Sequence, residues 1–243
     1  VRAYALGAFH PKPKRVLMIG LASGSWAQVV AHHPDVEELI VVEINPGYID
    51  AIRSHEQTRS LLDNPKVKIV IDDGRRWLRN NPDERFDAAV TNTTWHFRSH
   101  ASALLSVEFL ELIKSHLKED GVYLYNTTSS ERVQRTGMTV FEHGYRIINN
   151  IIVSKSPMKV DWEGLKEELI AYRIDGKPVL DLSIPEHKER FDEIKTLLAT
   201  YASEEERGYA LETRESILKR TEGMELITDD NMGTEWDLRN WTE

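Results

Sequence analysis

Five short apolar runs, each but the last followed by a stretch of helical spacing, constrain this chain more than anything else in it. The runs are RVLMIG (15–20), ELIVVEI (38–44), VKIVID (67–72), FDAAVTN (86–92) and GVYLYNT (121–127). Between them stand SWAQVVAHHP, which stops at Pro34, PGYIDAIRSHEQT, opened by Pro46, the short GRRWLRNN, and SALLSVEFLELIKSHL (102–117). The last of these carries Leu105, Phe109, Leu112, Ile113 and Leu117 on one side. Apolar, β-branched runs bounded by turn signals read as strands covered on both faces. Strand alternating with helix at this spacing implies an α/β fold, with a mostly parallel central sheet flanked by helices.

Beyond residue 127 the alternation loosens. ERVQRTGMTVF reads as a helix and YRIINNIIVSK (145–155) as one further strand at the sheet edge. From about residue 156 the chain reads as a mainly helical, charged extension: WEGLKEELIAYRI, PEHKERFDEIKTLLATY and SEEERGYALETRESILKRTEG. Such charge runs are solvated helix faces with i,i+4 pairs. The expected organisation is a lead-in over 1–14, a nucleoside-binding core over 15–155, and a helical extension over 156–243 packed on that core.

Composition narrows the function classes. Net charge is 31 − 40 = −9, which disfavours a nonspecific grip on nucleic acid and suits a small cationic substrate. The absence of cysteine excludes disulfides, thiolate catalysis and cysteine metal sites. His32–His33 reads as a helix end, because no matching ligand cluster follows, and no metal is expected. No run approaches the length of a membrane-spanning helix, and no signal peptide is visible. The chain begins at Val1 rather than Met, so it is expected to be a piece of a longer protein.

In an open α/β sheet, ligands bind beyond the carboxyl ends of the strands. The first strand ends in GLASGS (20–25), where Gly20 and Gly24, with Ala22 and Ser23 between them, allow a tight turn and a close backbone approach to a ligand. This is not the GxGxxG fingerprint, and nothing in it cradles phosphates. The second strand ends at Glu43, 43 − 24 = 19 residues after Gly24, near the spacing at which an acid grips ribose hydroxyls. The third ends in Asp72 and Asp73, which either meet an adenine amino group or cap the helix that starts at Gly74. Together these residues suit a nucleoside site of the kind used for S-adenosylmethionine.

The stretches PKRVLMIGLASGSW, VVEINPGYIDAIR, NPKVKIVIDDGRRWL, FDAAVTNTT and LLSVEFLELIKSHLKEDGVYLYNTT, in that order, resemble the spermidine synthase family of polyamine aminopropyltransferases. The likeness is greatest to the divergent spermidine-synthase-like domains often fused behind membrane segments, and ITDDNMGTEW (227–236) resembles a tail motif of that group. The resemblance implies a Rossmann-like, S-adenosylmethionine-dependent methyltransferase-type fold. It implies decarboxylated S-adenosylmethionine or S-adenosylmethionine as co-substrate, with residues 20–25 along the nucleoside and methionine portion, Glu43 on the ribose and Asp73 at the adenine.

The departures fall after the fourth strand. The family motif there is Asp-Ser-Ser-Asp, whose carboxylates orient and deprotonate the attacking amine and hold the aminopropyl group. This chain has Asn92, Thr93, Thr94 and Trp95 in those places. An amide cannot take a proton at neutral pH. His96 adds a titratable ring and Arg98 a cation that favours an anion such as a carboxylate, while Trp95 offers an aromatic face to an ammonium or simply joins the core. Asn92, Thr94, His96 and Arg98 are the candidate catalytic residues. Asp229 and Asp230 either fold back to supply the missing carboxylates or cap a turn. The β-hairpin domain that precedes the core in the family has no counterpart in these residues.

The leading expectation is therefore a polyamine-biosynthesis-type transferase that alkylates an amine or other small nucleophile. A methyltransferase and a non-catalytic nucleoside-binding module are the alternatives. A homodimer, and a location in the cytoplasm or at the cytoplasmic face of a membrane behind upstream membrane helices, complete the expectations.

Overall fold

The computed structural model describes residues 3–10, 12–92, 102–202 and 211–233. In chain order the elements are α1 (Leu6–Phe9), β1 (Arg15–Ile19), α2 (Ser25–Ala31), β2 (Glu38–Glu43), α3 (Gly47–Ser54), β3 (Val67–Ile71), α4 (Gly74–Asn80), β4 (Phe86–Thr91), α5 (Val107–His116), β5 (Leu117–Asn126), α6 (Glu131–Val140), β6 (His143–Ile147) and β7 (Asn150–Ser154). The chain continues through α7 (Trp162–Ala171), a two-stranded hairpin of β8 (Arg173–Ile174) and β9 (Lys177–Pro178), α8 (Pro185–Ala202), β10 (Leu211–Thr213) and α9 (Arg214–Arg220).

The main sheet has eight strands in the order β10-β6-β7-β5-β4-β1-β2-β3. The pairs from β3 through β5 are all parallel, with Met18 of β1 opposite Val41 on one side and Val90 on the other. The strand order reverses between β1 and β4, and that switch point is where an open sheet leaves a crevice for ligands. Period-two alternation splits the apolar side chains between the two faces. Val16, Met18, Leu39, Val41, Val122 and Leu124 pack with α1, α2, α7 and Phe191 of α8. Leu17, Ile19, Ile40, Val42, Tyr123 and Tyr125 pack with α4, α5, α6 and α9. Phe109 and Ile113 of α5 are fully buried there, so Phe109→Ala costs about 3–5 kcal/mol.

Three local differences from the sequence reading have clear causes. The expected helix over 102–117 is two pieces: a 3-10 turn at Ser102–Leu104, then α5. Ser106 separates them, because its hydroxyl accepts the Phe109 N–H and makes it the N-cap. The expected single strand over 145–155 is the antiparallel pair β6 and β7, reversed at Ile148 with φ 56°. No glycine or proline marks that turn, and β7, not the preceding β6, lies next to β5.

Among its described residues the extension holds three helices, α7, α8 and α9, but also supplies β10, antiparallel to β6. Glu212 of β10 is buried and accepts from Arg146 Nε and Arg220 Nε, each at 2.7 Å. An acid read as part of a solvated helix face is thus an internal ion pair.

Candidate nucleoside site

At the carboxyl ends of β1, β2 and β4, beside the start of α4, lies a cavity of about 200 Å³. Its wall brings together five residues singled out in the sequence: Gly20, Ala22, Glu43, Asp73 and Asn92. The β1–α2 turn is shaped by left-handed backbone at Gly20 (φ 89°), Ala22 (φ 46°) and Gly24 (φ 76°). Gly24 does not face the cavity. A side-chain carbon added there would come within 2.9 Å of Ile52 Cδ1, so this glycine serves the close packing of α2 against α3. Ser23 is exposed, with its hydroxyl 3.1 Å from that of Ser25.

Glu43 is 4% exposed. Its Oε2 accepts the Leu21 N–H at 2.6 Å and its Oε1 the Asn45 N–H at 2.7 Å. Each oxygen of a carboxylate can accept a second hydrogen bond, so the group is held rigidly while keeping capacity for ligand hydroxyls. Ile44, 69% exposed, and the exposed Tyr48 continue the wall beside it. Sequence reasoning passed over both, although an apolar residue immediately after the strand-end acid is the available signal.

Asp73 both caps and lines. Its Oδ1 accepts the Arg76 N–H at 2.8 Å, making it the N-cap of α4, and the residue borders the cavity. The two readings of Asp73 are compatible. Asp72 is not part of the wall: its Oδ1 accepts from Arg76 Nε at 2.5 Å and from the Asp73 N–H at 2.7 Å.

Asn92 immediately follows β4 and borders the cavity. Thr93, Thr94, Trp95, His96 and Arg98 lie outside the described residues. Asp229 is not brought to the cavity. Its carboxylate is engaged by Arg75, through Nη1 at 2.8 Å and Nη2 at 2.5 Å, and by the Ser106 hydroxyl at 2.7 Å. The Arg75 bond holds the Asp229 carboxyl below its usual range, against the opposing effect of partial burial. Asp230 is exposed and outside the cavity wall. Among the described residues no group of three or more His, Cys, Asp or Glu could hold a metal ion. His33 instead sits 3.3 Å from Glu168 at the α2–α7 contact.

A larger cavity of about 490 Å³ lies between α7 and α8, where Leu165, Leu169, Leu180 and Ile194 share the lining with Glu186, His187 and Arg190. Size alone would favour it. The smaller cavity is the stronger candidate, because it sits at the strand-order switch and carries a rigidly held carboxylate. No helix among the described residues is long and apolar enough to cross a membrane.

A family model of the spermine/spermidine synthase domain matches residues 5–146. The polyamine aminopropyltransferase of Streptococcus pneumoniae is 35% identical over 119 residues, which is 49% of this chain and 41% of that protein. The enzyme of the same name from Thermotoga maritima is 34% identical over 119 residues, 49% of this chain and 40% of that one. This chain thus spans about two-fifths of the length of these curated relatives. Among solved structures, a spermidine synthase in complex with the transition state analogue AdoDATO superposes with a TM-score of 0.59 at 24% identity, over 82% of this chain and 72% of that one. Human methyltransferase-like protein 13 in complex with SAH gives 0.50 at 20% identity, over 68% of this chain and 85% of that one. The structural likenesses establish the Rossmann-like fold, and the family match, which covers more than half of the residues, places this chain in the spermine/spermidine synthase family.

Proposed function

We propose that the cavity at the β1–β4 switch binds the nucleoside of decarboxylated S-adenosylmethionine or S-adenosylmethionine, and that the chain is a transferase moving an aminopropyl or related group to an amine or other small nucleophile. The observation that carries this reading is Glu43: a buried carboxylate fixed by two backbone N–H groups at the lip of a cavity that also holds Gly20, Ala22, Asp73 and Asn92. A carboxylate in that place accepts two ribose hydroxyls. The exposed Ile44 side chain offers an apolar surface for a purine face, and Asp73 an acceptor for its amino group.

The co-substrate supplies an electrophilic carbon next to a sulfonium. What the protein must add is alignment of the nucleophile, which alone lowers a barrier by several kcal/mol. Asn92 can orient an amine by hydrogen bonding but cannot deprotonate it. The wild-type chain is therefore expected to favour a nucleophile that arrives neutral, or to work slowly on an ammonium.

The test is calorimetric titration with S-adenosylmethionine, its decarboxylated form and methylthioadenosine, followed by product analysis. Methylthioadenosine as product supports aminopropyl transfer. S-adenosylhomocysteine identifies a methyltransferase. Binding without turnover leaves a nucleoside-binding module, and no binding to any of the three overturns the proposal.

A further inference from the structure

We propose that Asp229 is a positioning residue, a latch by which the chain's tail fixes two segments of the cavity wall. This rests on the nucleoside reading of that cavity. The first wall segment is the start of α4, where Asp73 and Gly74 line the cavity and Arg75 comes next. The second is the 3-10 turn Ser102–Leu104, which places Leu104 on the cavity. Arg75 Nη1 donates to the Ala103 carbonyl at 3.2 Å and to Asp229 Oδ1 at 2.8 Å, while Nη2 donates to Asp229 Oδ2 at 2.5 Å. The Ser106 hydroxyl donates to the same Oδ1 at 2.7 Å while accepting the Phe109 N–H at 3.2 Å. One carboxylate thus joins the first turn of α4 to the N-cap of α5.

The tail is itself anchored, so the latch has something to pull against. Ile227 is 1% exposed, its carbonyl accepts the Val107 N–H at 2.8 Å, and its N–H donates to Thr136 Oγ1 at 3.0 Å. The Asp229 N–H donates to Glu108 Oε2 at 3.0 Å. The Arg75 side chain is only 12% exposed. Without Asp229 it becomes a nearly buried cation without its counter-ion, a costly arrangement that is relieved by moving. Movement of Arg75 releases Ala103, and with it Leu104.

The experiment compares wild type, Asp229→Asn, Asp229→Glu and Glu212→Gln. The last breaks a buried ion pair at the far edge strand and serves as a stability control. Two readouts are taken: Kd for methylthioadenosine, and ligand-free hydrogen exchange at the Leu105 and Phe109 amides. Both amides bond within the latched segment, to the Ser102 carbonyl and the Ser106 hydroxyl. Asp229→Asn is expected to weaken binding about tenfold, in the range of remote couplings, and to speed both exchanges, with partial recovery in Asp229→Glu. Glu212→Gln is expected to lower Tm and change neither. Unchanged Kd and exchange in Asp229→Asn, or equal changes in Glu212→Gln, overturn the latch. If wild type binds no nucleoside, the functional reading falls on its own. Exchange then decides the latch: faster in Asp229→Asn alone upholds it, and no change overturns it.

Discussion

The backbone N–H of Leu21, in the turn after β1, donates to Oε2 of Glu43, at the end of β2, at 2.6 Å. Two neighbouring strands are thereby tied across the point where the cavity opens. Because Asn45 donates to the other oxygen, Glu43→Gln must set an amide NH₂ against one backbone N–H. The expected cost is about 1–3 kcal/mol of stability, the penalty for a buried donor left unpaired. Methylthioadenosine affinity should fall at least about tenfold, or 1.4 kcal/mol. Thermal melting and calorimetry measure the two effects. An affinity within twofold of wild type would remove Glu43 from the ribose.

Stability should fall in two steps as pH is lowered. His10 is buried, and burial pushes its pKa below the ordinary histidine value of 6.5, with nearby Asp120 and Asp87 opposing. Its neutral form is favoured in the fold, so its contribution is present at neutral pH and declines as pH falls through about 6.5, the unfolded value. For Glu212, burial pushes the pKa up, but hydrogen bonds from Arg220 and Arg146 outweigh it and the net shift is downward from 4.5. A depressed carboxyl contributes stability above its unfolded pKa and loses it as pH falls through the folded one. Tm measured from pH 8 to 3 should show both steps. His10→Phe should flatten the first, and Glu212→Gln should reduce the second, to which the lowered Asp87 and Asp229 also contribute.

The features legible in the sequence were local ones. Five strands could be read because a two-sided parallel sheet demands apolar runs. Glu43 and Asp73 could be placed at the cavity because each stands at or shortly after a strand's carboxyl end. Asp72 and Asp73 were separated only by the family resemblance, since adjacent residues of one type differ only in which way the backbone turns them. The latch was out of reach for another reason. Asp229 and Arg75 are 154 residues apart, and an ion pair at that separation leaves no periodicity. The same holds for β10, three residues long, whose only claim to the sheet is its pairing with β6.

The β6–β7 turn carries avoidable strain. Ile148 has φ 56°, and a β-branched residue there pays about 1–2 kcal/mol that glycine does not. Glycine costs about 0.5–1 kcal/mol in unfolded-chain entropy. Ile148→Gly should therefore raise stability by up to about 1 kcal/mol, seen as a shift of the urea midpoint with an unchanged slope. A lower midpoint would mean that the partly covered Ile148 side chain contributes more by packing than the turn loses.

Asn92→Asp places a carboxylate where the resemblance to the family implies an aspartate. General-base assistance is worth about 10²–10⁴ in rate when the base is well placed. With this carboxylate in place, aminopropyl transfer to a primary amine should rise at least about tenfold at pH 7. The gain should shrink as pH rises toward about 10, where a growing fraction of a primary amine is already neutral in solution and needs no base. Methylthioadenosine affinity should stay within about twofold, because the substitution leaves Glu43 and Asp73 as they are. Rates for both proteins across pH 6 to 10, with decarboxylated S-adenosylmethionine saturating, give the answer. A pH-independent gain would mean that the new carboxylate acts on the permanently charged sulfonium rather than on the amine's proton. No gain would remove Asn92 as the place where a base assists the proposed transfer.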